Sequence, residues 1–342
     1  MVMQSIWFFL WGILWVVYFI LDGFDLGLGT IMPIVAKSDT DRRIIYNSMG
    51  PVWDGNEVWL ITAGGVTFAA FPKVYAVMFS ALYTPLLLLL FALIVRGVSF
   101  EFRGKVDSPA WRKIWDFCLV IGSFLPALLL GVAFSNIFKG IPIDGNGIFH
   151  GNLFTLLNPY GLIGGLLFVF LFVVHGALWL AIKSEGELQS RAVNIANKAW
   201  YILLVIAVIF LIATAFATNL YNNYLKNPIL FIIPLVTVLA LLGTKVFTLK
   251  GAYWKAWFSS AVTIATATLF GVVGLFPNMF PSSINEKFSI TAFNGSSSPL
   301  TLKVMLIVAL IFVPIVIVYQ FFVYKYFSGK ITEKDLDYEE AY

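Results

Sequence analysis

Nine stretches of this chain are each about twenty residues long and nearly free of charge, the length a helix rising 1.5 Å per residue needs to cross the hydrocarbon core of a bilayer. They cover residues 6–31, 53–71, 74–95, 116–138, 162–182, 200–220, 229–249, 256–276 and 301–327. The reading is an all-α polytopic membrane protein of about nine transmembrane helices, one integral membrane domain over 1–342. The second stretch is the richest in Gly and Thr. Only Pro72 and Lys73 separate it from the third, and because proline cannot continue a helix ladder the pair is read as a tight turn.

Composition agrees. The 342 residues are 60% apolar and 12% charged, against about 45–50% and 25% in soluble domains. The first run exceeds the h-region of a cleavable signal, about 7–15 residues, and lacks a basic n-region, so it is expected to stay as a span. A net charge of +4 does not point to nucleic acid, because the basic residues sit in short loops. The single cysteine, Cys118, rules out an internal disulfide and any Cys-based metal or iron–sulfur site. Two histidines, His150 and His175, are too few to ligate several metals or haems from this chain alone.

Alternate loops differ sharply in charge. Those after the odd-numbered spans, with the tail, hold sixteen Lys and Arg, among them Arg42, Arg43, Arg96, Arg103 and Lys183; the others hold four, Lys73, Lys139, Lys226 and Lys287. Basic loops stay in the cytoplasm, which predicts an outside N-terminus and a cytoplasmic C-terminus. Gly140–Tyr160 and Pro277–Pro299 are then outer loops rich in turn formers, and 330–342 is read as a short frayed helix.

Against this background the acids stand out. Asp22 and Asp25 lie inside the first run, and Asp54 and Glu57 open the second within Pro51–Gly65; Asp116 opens the fourth. A carboxylate at bilayer depth costs about 2.5–3.5 kcal/mol on insertion scales. The predicted orientation puts all five in the cytoplasmic half, and each three-residue pair shares a helix face. Such a cluster suits a route for protons or ions. Simpler readings compete: a negative charge at a helix N-terminus gains about 0.3–1 kcal/mol from the helix dipole, which could account for Asp54, Glu57 and Asp116. Asp22 and Asp25 could instead be ion-paired with Arg96, Arg42 or Arg43. His175, alone on an apolar face, reads as a hydrogen-bonded core residue ahead of a ligand, and His150 as solvated. Trp7, Trp11, Trp179 and Trp254 fit interfacial belts or core packing. Gly23, Gly27 and Gly29 would let helices approach closely.

The strings Asp22-Gly-Phe-Asp-Leu-Gly-Leu-Gly29, Asp41-Arg-Arg43, Asn47-Ser48 and Pro51-Val-Trp-Asp-Gly-Asn-Glu-Val-Trp-Leu-Ile-Thr-Ala-Gly-Gly65 resemble subunit II of cytochrome bd quinol oxidase. Trp111-Arg-Lys-Ile-Trp-Asp116, Gly122-Ser-Phe-Leu-Pro126, Gly131-Val-Ala-Phe134 and Asn158-Pro-Tyr-Gly-Leu162 continue the match. The resemblance implies two four-helix bundles (1–138 and 162–276), a peripheral ninth helix (301–327) and a cytoplasmic tail (328–342). It implies pairing in the bacterial cytoplasmic membrane with a haem-bearing subunit I that holds haem b and haem d, oxidises quinol and reduces dioxygen to water. Subunit II then supports that partner and contributes a cytoplasmic proton pathway, with Asp54 the first residue carried over and Asp25 the next, joined here by Glu57, Asp22 and Asp116. Glu57 stands where some relatives carry glutamine. A structural quinone or lipid, and a small single-helix third subunit, are compatible with the resemblance. Two other function classes remain: a secondary carrier using the acids for ion coupling, against which stands the lack of paired broken helices in the two halves, and a purely structural scaffold.

Overall fold

The computed structural model describes residues 1–337; the end of the expected tail helix lies outside them. In chain order the helices are α1 (Val2–Val35), α2 (Asp39–Met49), α3 (Trp53–Ala70), α4 (Pro72–Ala81), α5 (Tyr83–Phe102), α6 (Pro109–Lys139) and α7 (Leu153–Leu156). There follow α8 (Pro159–Lys183), α9 (Gly186–Ala217), α10 (Tyr221–Lys226), α11 (Ile232–Leu249), α12 (Tyr253–Leu275) and α13 (Pro299–Tyr326). Among the described residues eight helices are long and apolar enough to cross a membrane. The ninth expected span, α3, forms as a helix but is only 18 residues long and carries Asp54 and Glu57.

Three expectations about the 53–102 region are corrected. No turn forms at Pro72-Lys73. The chain bends one residue earlier, at Phe71 (φ −135, ψ 61), and Pro72 is the first residue of α4, where its missing N–H has no helical partner anyway. The third span is not one helix: it breaks at Leu82 (φ −100, ψ 18), and Pro85 offers no N–H to the Ala81 carbonyl. The continuation, α5, runs to Phe102, so Arg96 lies inside a helix and not in a loop. Elsewhere the apolar runs understate the helices. The α6 helix starts at Pro109 rather than 116, behind a Ser108 cap, and α9 starts at Gly186 rather than 200. An apolar run reports only the lipid-immersed length, whereas helical hydrogen bonding continues into water.

The core forms around α1, which packs on α3, α6, α8 and α12; α8 also packs on α6, α9 and α12, α5 on α6, and α11 on α12. The α1–α8 crossing is backbone to backbone. A Cβ added at Gly27 would lie 1.7 Å from the Phe172 carbonyl oxygen, and one at Gly176 2.4 Å from the Leu28 amide nitrogen. Of the tryptophans, Trp7, Trp11 and Trp179 are core residues whose indoles donate to the Leu302 carbonyl, Thr67 Oγ1 and the Ser48 carbonyl, while Trp254 is half exposed. By contrast α13 is almost entirely exposed apolar surface.

At the end of the bundle away from the basic loops, the Gly140–Tyr160 and Pro277–Pro299 segments form one ordered cap. Ile141 donates to the Pro281 carbonyl (2.9 Å) and accepts from Ser283 (3.0 Å), and a short antiparallel pair joins β1 (Asn278–Phe280) to β2 (Ile290–Thr291). At the basic end the tail folds back: Ile331 donates to the Lys183 carbonyl (2.8 Å), and Glu333–Asp337 is a 3-10 helix rather than an α-helix.

Candidate functional site

The relocation of Arg96 creates the site. Its guanidinium is fully buried, with Nη2 2.7 Å from Asp22 Oδ1 and 3.8 Å from Asp25 Oδ2, and Nη1 3.1 Å from Glu57 Oε1. The three-residue spacing puts Asp22 and Asp25 on one face of α1, and α3 brings Glu57 to the other side of the arginine. Gly122 lets α6 close against the base of Arg96, since a Cβ there would lie 2.6 Å from Arg96 Cβ. Asp22 and Asp25 have no exposed surface; the Glu57 side chain keeps 20%.

One guanidinium balances one carboxylate. Two more carboxyls share the pocket, and keeping a fully buried one ionised without a cation of its own costs several kcal/mol of hydration, whereas Glu57 keeps part of its surface. Asp22 Oδ2, Asp25 Oδ1 and Arg96 Nε are buried with no hydrogen-bond partner among the described residues. The other Asp25 oxygen accepts from Asn56 Nδ2 (2.7 Å), and Asn56 Oδ1 in turn accepts from the Tyr324 hydroxyl (2.7 Å). One helical turn away, Trp59 Nε1 donates to Gln320 Oε1 (3.0 Å) and Gln320 Nε2 to the Gly55 carbonyl (2.9 Å). These polar contacts fasten the otherwise exposed α13 to α3.

The expected group of five acids is therefore three. Asp116 lies in the third turn of α6, beyond the reach of the helix dipole, and is instead bound by Arg103 Nε at 2.6 Å and Arg42 Nε at 3.4 Å; Arg103 also holds Asp39 at 2.6 Å. Asp54 remains in the first turn of α3 but is exposed, and it enters none of the described ion pairs. Of the three partners the sequence offered Asp22 and Asp25, the structure selects Arg96 over Arg42 and Arg43, although as a helix residue and not a loop one; nothing local pointed to Tyr324, which meets Asn56 across 268 positions of sequence. Two cavities flank the cluster. An apolar cleft of about 710 Å³ opens between α1, α3, α4, α5 and α6 beside Trp11, Leu60, Phe68 and Leu89. A polar pocket of about 470 Å³ at the basic end is lined by Asn47, Ser48, Trp179, Lys183, Tyr324 and Asp335.

A family model described as cytochrome bd terminal oxidase subunit II matches residues 3–327. The chain belongs to that family. Cytochrome bd-I ubiquinol oxidase subunit 2 of Escherichia coli K12 is 38% identical over 371 residues, 98% of this chain and 97% of its own length. Cytochrome bd ubiquinol oxidase subunit 2 of Bacillus subtilis is 34% identical over 97% of this chain and 98% of its own. The bd oxidase structure from Geobacillus thermodenitrificans aligns with a TM-score of 0.80 over 96% of this chain and 99% of that one at 15% identity, so the two share a fold.

Haem is the group that a cytochrome family implies, and this bd subunit II chain gives it no fit. Both ring nitrogens of His175 are engaged: Nε2 donates to the Ile20 carbonyl (3.2 Å), Nδ1 meets Ser260 Oγ (3.2 Å), and the ring stacks on Trp257 at 4.7 Å. His150 is exposed in the cap, 2.9 Å from Asp144 Oδ2. That contact, with the backbone N–H of Ile148, holds the Asp144 carboxyl below the usual carboxylate range. Among the described residues no group of three or more His, Cys, Asp or Glu is placed to hold a metal ion.

Proposed function

We propose that this chain is the haem-free subunit II of a bacterial bd-type quinol oxidase, bound to a haem-bearing subunit I that oxidises quinol and reduces dioxygen. Its basic end faces the cytoplasm, and its buried acids supply protons to the oxygen chemistry in that partner. The observation that carries the reading is the surplus of acid around Arg96. A structural ion pair needs one carboxylate per guanidinium, whereas Asp22, Asp25 and Glu57 all converge on one.

Each residue then has a role. Arg96 keeps the pocket attractive to negative charge, so the acids can hold and release protons near it without collapse of the site. Asp22 Oδ2 and Asp25 Oδ1, lacking partners, are the oxygens open to a proton. Glu57, partly exposed, joins the buried pair to the surface of α3, where Asp54 stands in the first turn. The exposed face of α13, next to α3, is a surface for subunit I. The apolar cleft falls within the 300–1,000 Å³ range of ligand pockets and suits a structural quinone or a lipid chain.

The test is Asp25→Asn in the assembled oxidase, with Asp54→Asn in parallel. Slower oxygen consumption and slower proton uptake at unchanged haem content support the route. Wild-type turnover and uptake would leave the acids as scaffold for the two subunits. The same scaffold reading would follow if the variants lost haem through failed assembly.

A further inference from the structure

We propose that protons enter from the polar pocket at the basic end, and that Tyr324 and Asn56 position Asp25 to take them up from it. The inference rests on the proton-supplying role assigned above and names its entrance. Two observations carry it. The pocket of about 470 Å³ is walled by Asn47, Ser48 and Tyr324, and the hydroxyl of that same Tyr324 begins the hydrogen-bonded series Tyr324–Asn56–Asp25, each link 2.7 Å. One side chain thus lines the pocket and, through Asn56, reaches the fully buried Asp25.

The polarity of the series is set by chemistry. A phenol donating to Asn56 Oδ1 forces the amide to present Nδ2 to Asp25, so one carboxylate oxygen is occupied and the other, Oδ1, stays the acceptor. Without the phenol the amide is free to turn its oxygen toward the carboxylate, which opposes ionised Asp25. Uptake is a proton transfer relayed by water, because Asp25 does not line the pocket and the Asn56 amide orients the acid without carrying the proton: an O–H bond breaks on a hydronium ion in the pocket, each bridging water gains one proton and gives up another, an O–H bond forms on a carboxyl oxygen of Asp25, and water remains. No electron moves.

The charged groups of the pocket are Lys183, Lys330 and Asp335. Lys183 is tied back to the wall, its ammonium donating to the Phe327 and Gly329 carbonyls and lying 4.9 Å from the Trp179 ring centre, and Lys330 is the second cation of the lining. At the mouth Asp335 accepts from the Thr332 backbone N–H and hydroxyl, both at 2.7 Å, contacts that favour its ionised form and place a negative charge where cations arrive.

The experiment compares Tyr324→Phe with Asp25→Asn in the assembled oxidase. A second variant, Lys330→Cys in a Cys118→Ser background, is labelled with a bulky anionic thiol reagent to crowd the pocket mouth. Tyr324→Phe should lower kcat and proton uptake from the basic side about two- to tenfold, the rate equivalent of one hydrogen bond, with quinol KM and haem content unchanged. Labelling should depress the same rate. If Asp25→Asn slows uptake but Tyr324→Phe and the label both leave it at the wild-type rate, the entrance is elsewhere and the route stands. If all three are silent, the proton-supplying role itself falls. A change in quinol KM or haem content with Tyr324→Phe would overturn the positioning role in favour of a structural one.

Discussion

Replacing Arg96 with glutamine tests the electrostatic argument most directly. The change removes the one cation that, among the described residues, hydrogen-bonds Asp22 and Glu57 and lies 3.8 Å from Asp25. Charge-assisted hydrogen bonds contribute about 1.5–3 kcal/mol each, and Arg96 makes two short ones, at 2.7 and 3.1 Å. Stripping one partner from a buried ion pair costs about 3–5 kcal/mol, because the remaining charge is left uncompensated. Arg96→Gln is therefore expected to destabilise the subunit by about 3–5 kcal/mol, read as a shift in unfolding of the purified complex in mixed detergent micelles and as lower haem recovery. Most of this penalty belongs to the stranded acids rather than to lost attraction. Adding Asp22→Asn and Glu57→Gln to Arg96→Gln should therefore restore part of the stability. A lone Arg96→Gln as stable as wild type, or a triple variant no better than the single one, would refute the reasoning.

Two other perturbations probe the packing and the cap. Gly27→Ala should lose at least the 1–3 kcal/mol typical of overpacking, because its Cβ would meet the Phe172 backbone at 1.7 Å. Gly64→Ala, with nothing within 4 Å, should be neutral or stabilising in the same unfolding assay. In the cap, Asp144 titrates below its ordinary range, so its contribution to local order is fully present above about pH 3.9 and is lost as pH falls through the lower, folded-state value. Faster hydrogen exchange at the Asn146 and Ile148 amides in Asp144→Ala at neutral pH would bear this out, and unchanged exchange would remove the carboxylate from the account.

Membrane folding explains which features could be read along the chain. The bilayer rewards a fixed length of apolar helix whatever surrounds it, so eight of nine spans, the polytopic class and the odd charge of Asp22 and Asp25 are visible in local composition. The family was legible for a related reason: long strings such as Pro51–Gly65 carry many residue choices at once, and residues 3–327 match the family model. Helix ends were less legible, because hydrogen bonding does not stop where apolarity does. That is why Arg96, at the polar end of an apolar run, read as a loop residue, and why α6 and α9 began early.

The sequence narrowed the partners of Asp22 and Asp25 to Arg96, Arg42 or Arg43, but no local window could choose among them. Asp22 meets Arg96 across 74 positions, and Asn56 meets Tyr324 across 268; such pairings depend on the order in which helices pack and on how far each is rotated about its axis. Composition along the chain dictated a bundle of membrane helices with acids to accommodate. Only the packed bundle decided that three of those acids share one buried arginine while Asp116 joins a second network around the buried Arg103 and Asp54 stays on the outside. Lipid selects for the length and greasiness of a segment, whereas the geometry between segments selects for charge partners.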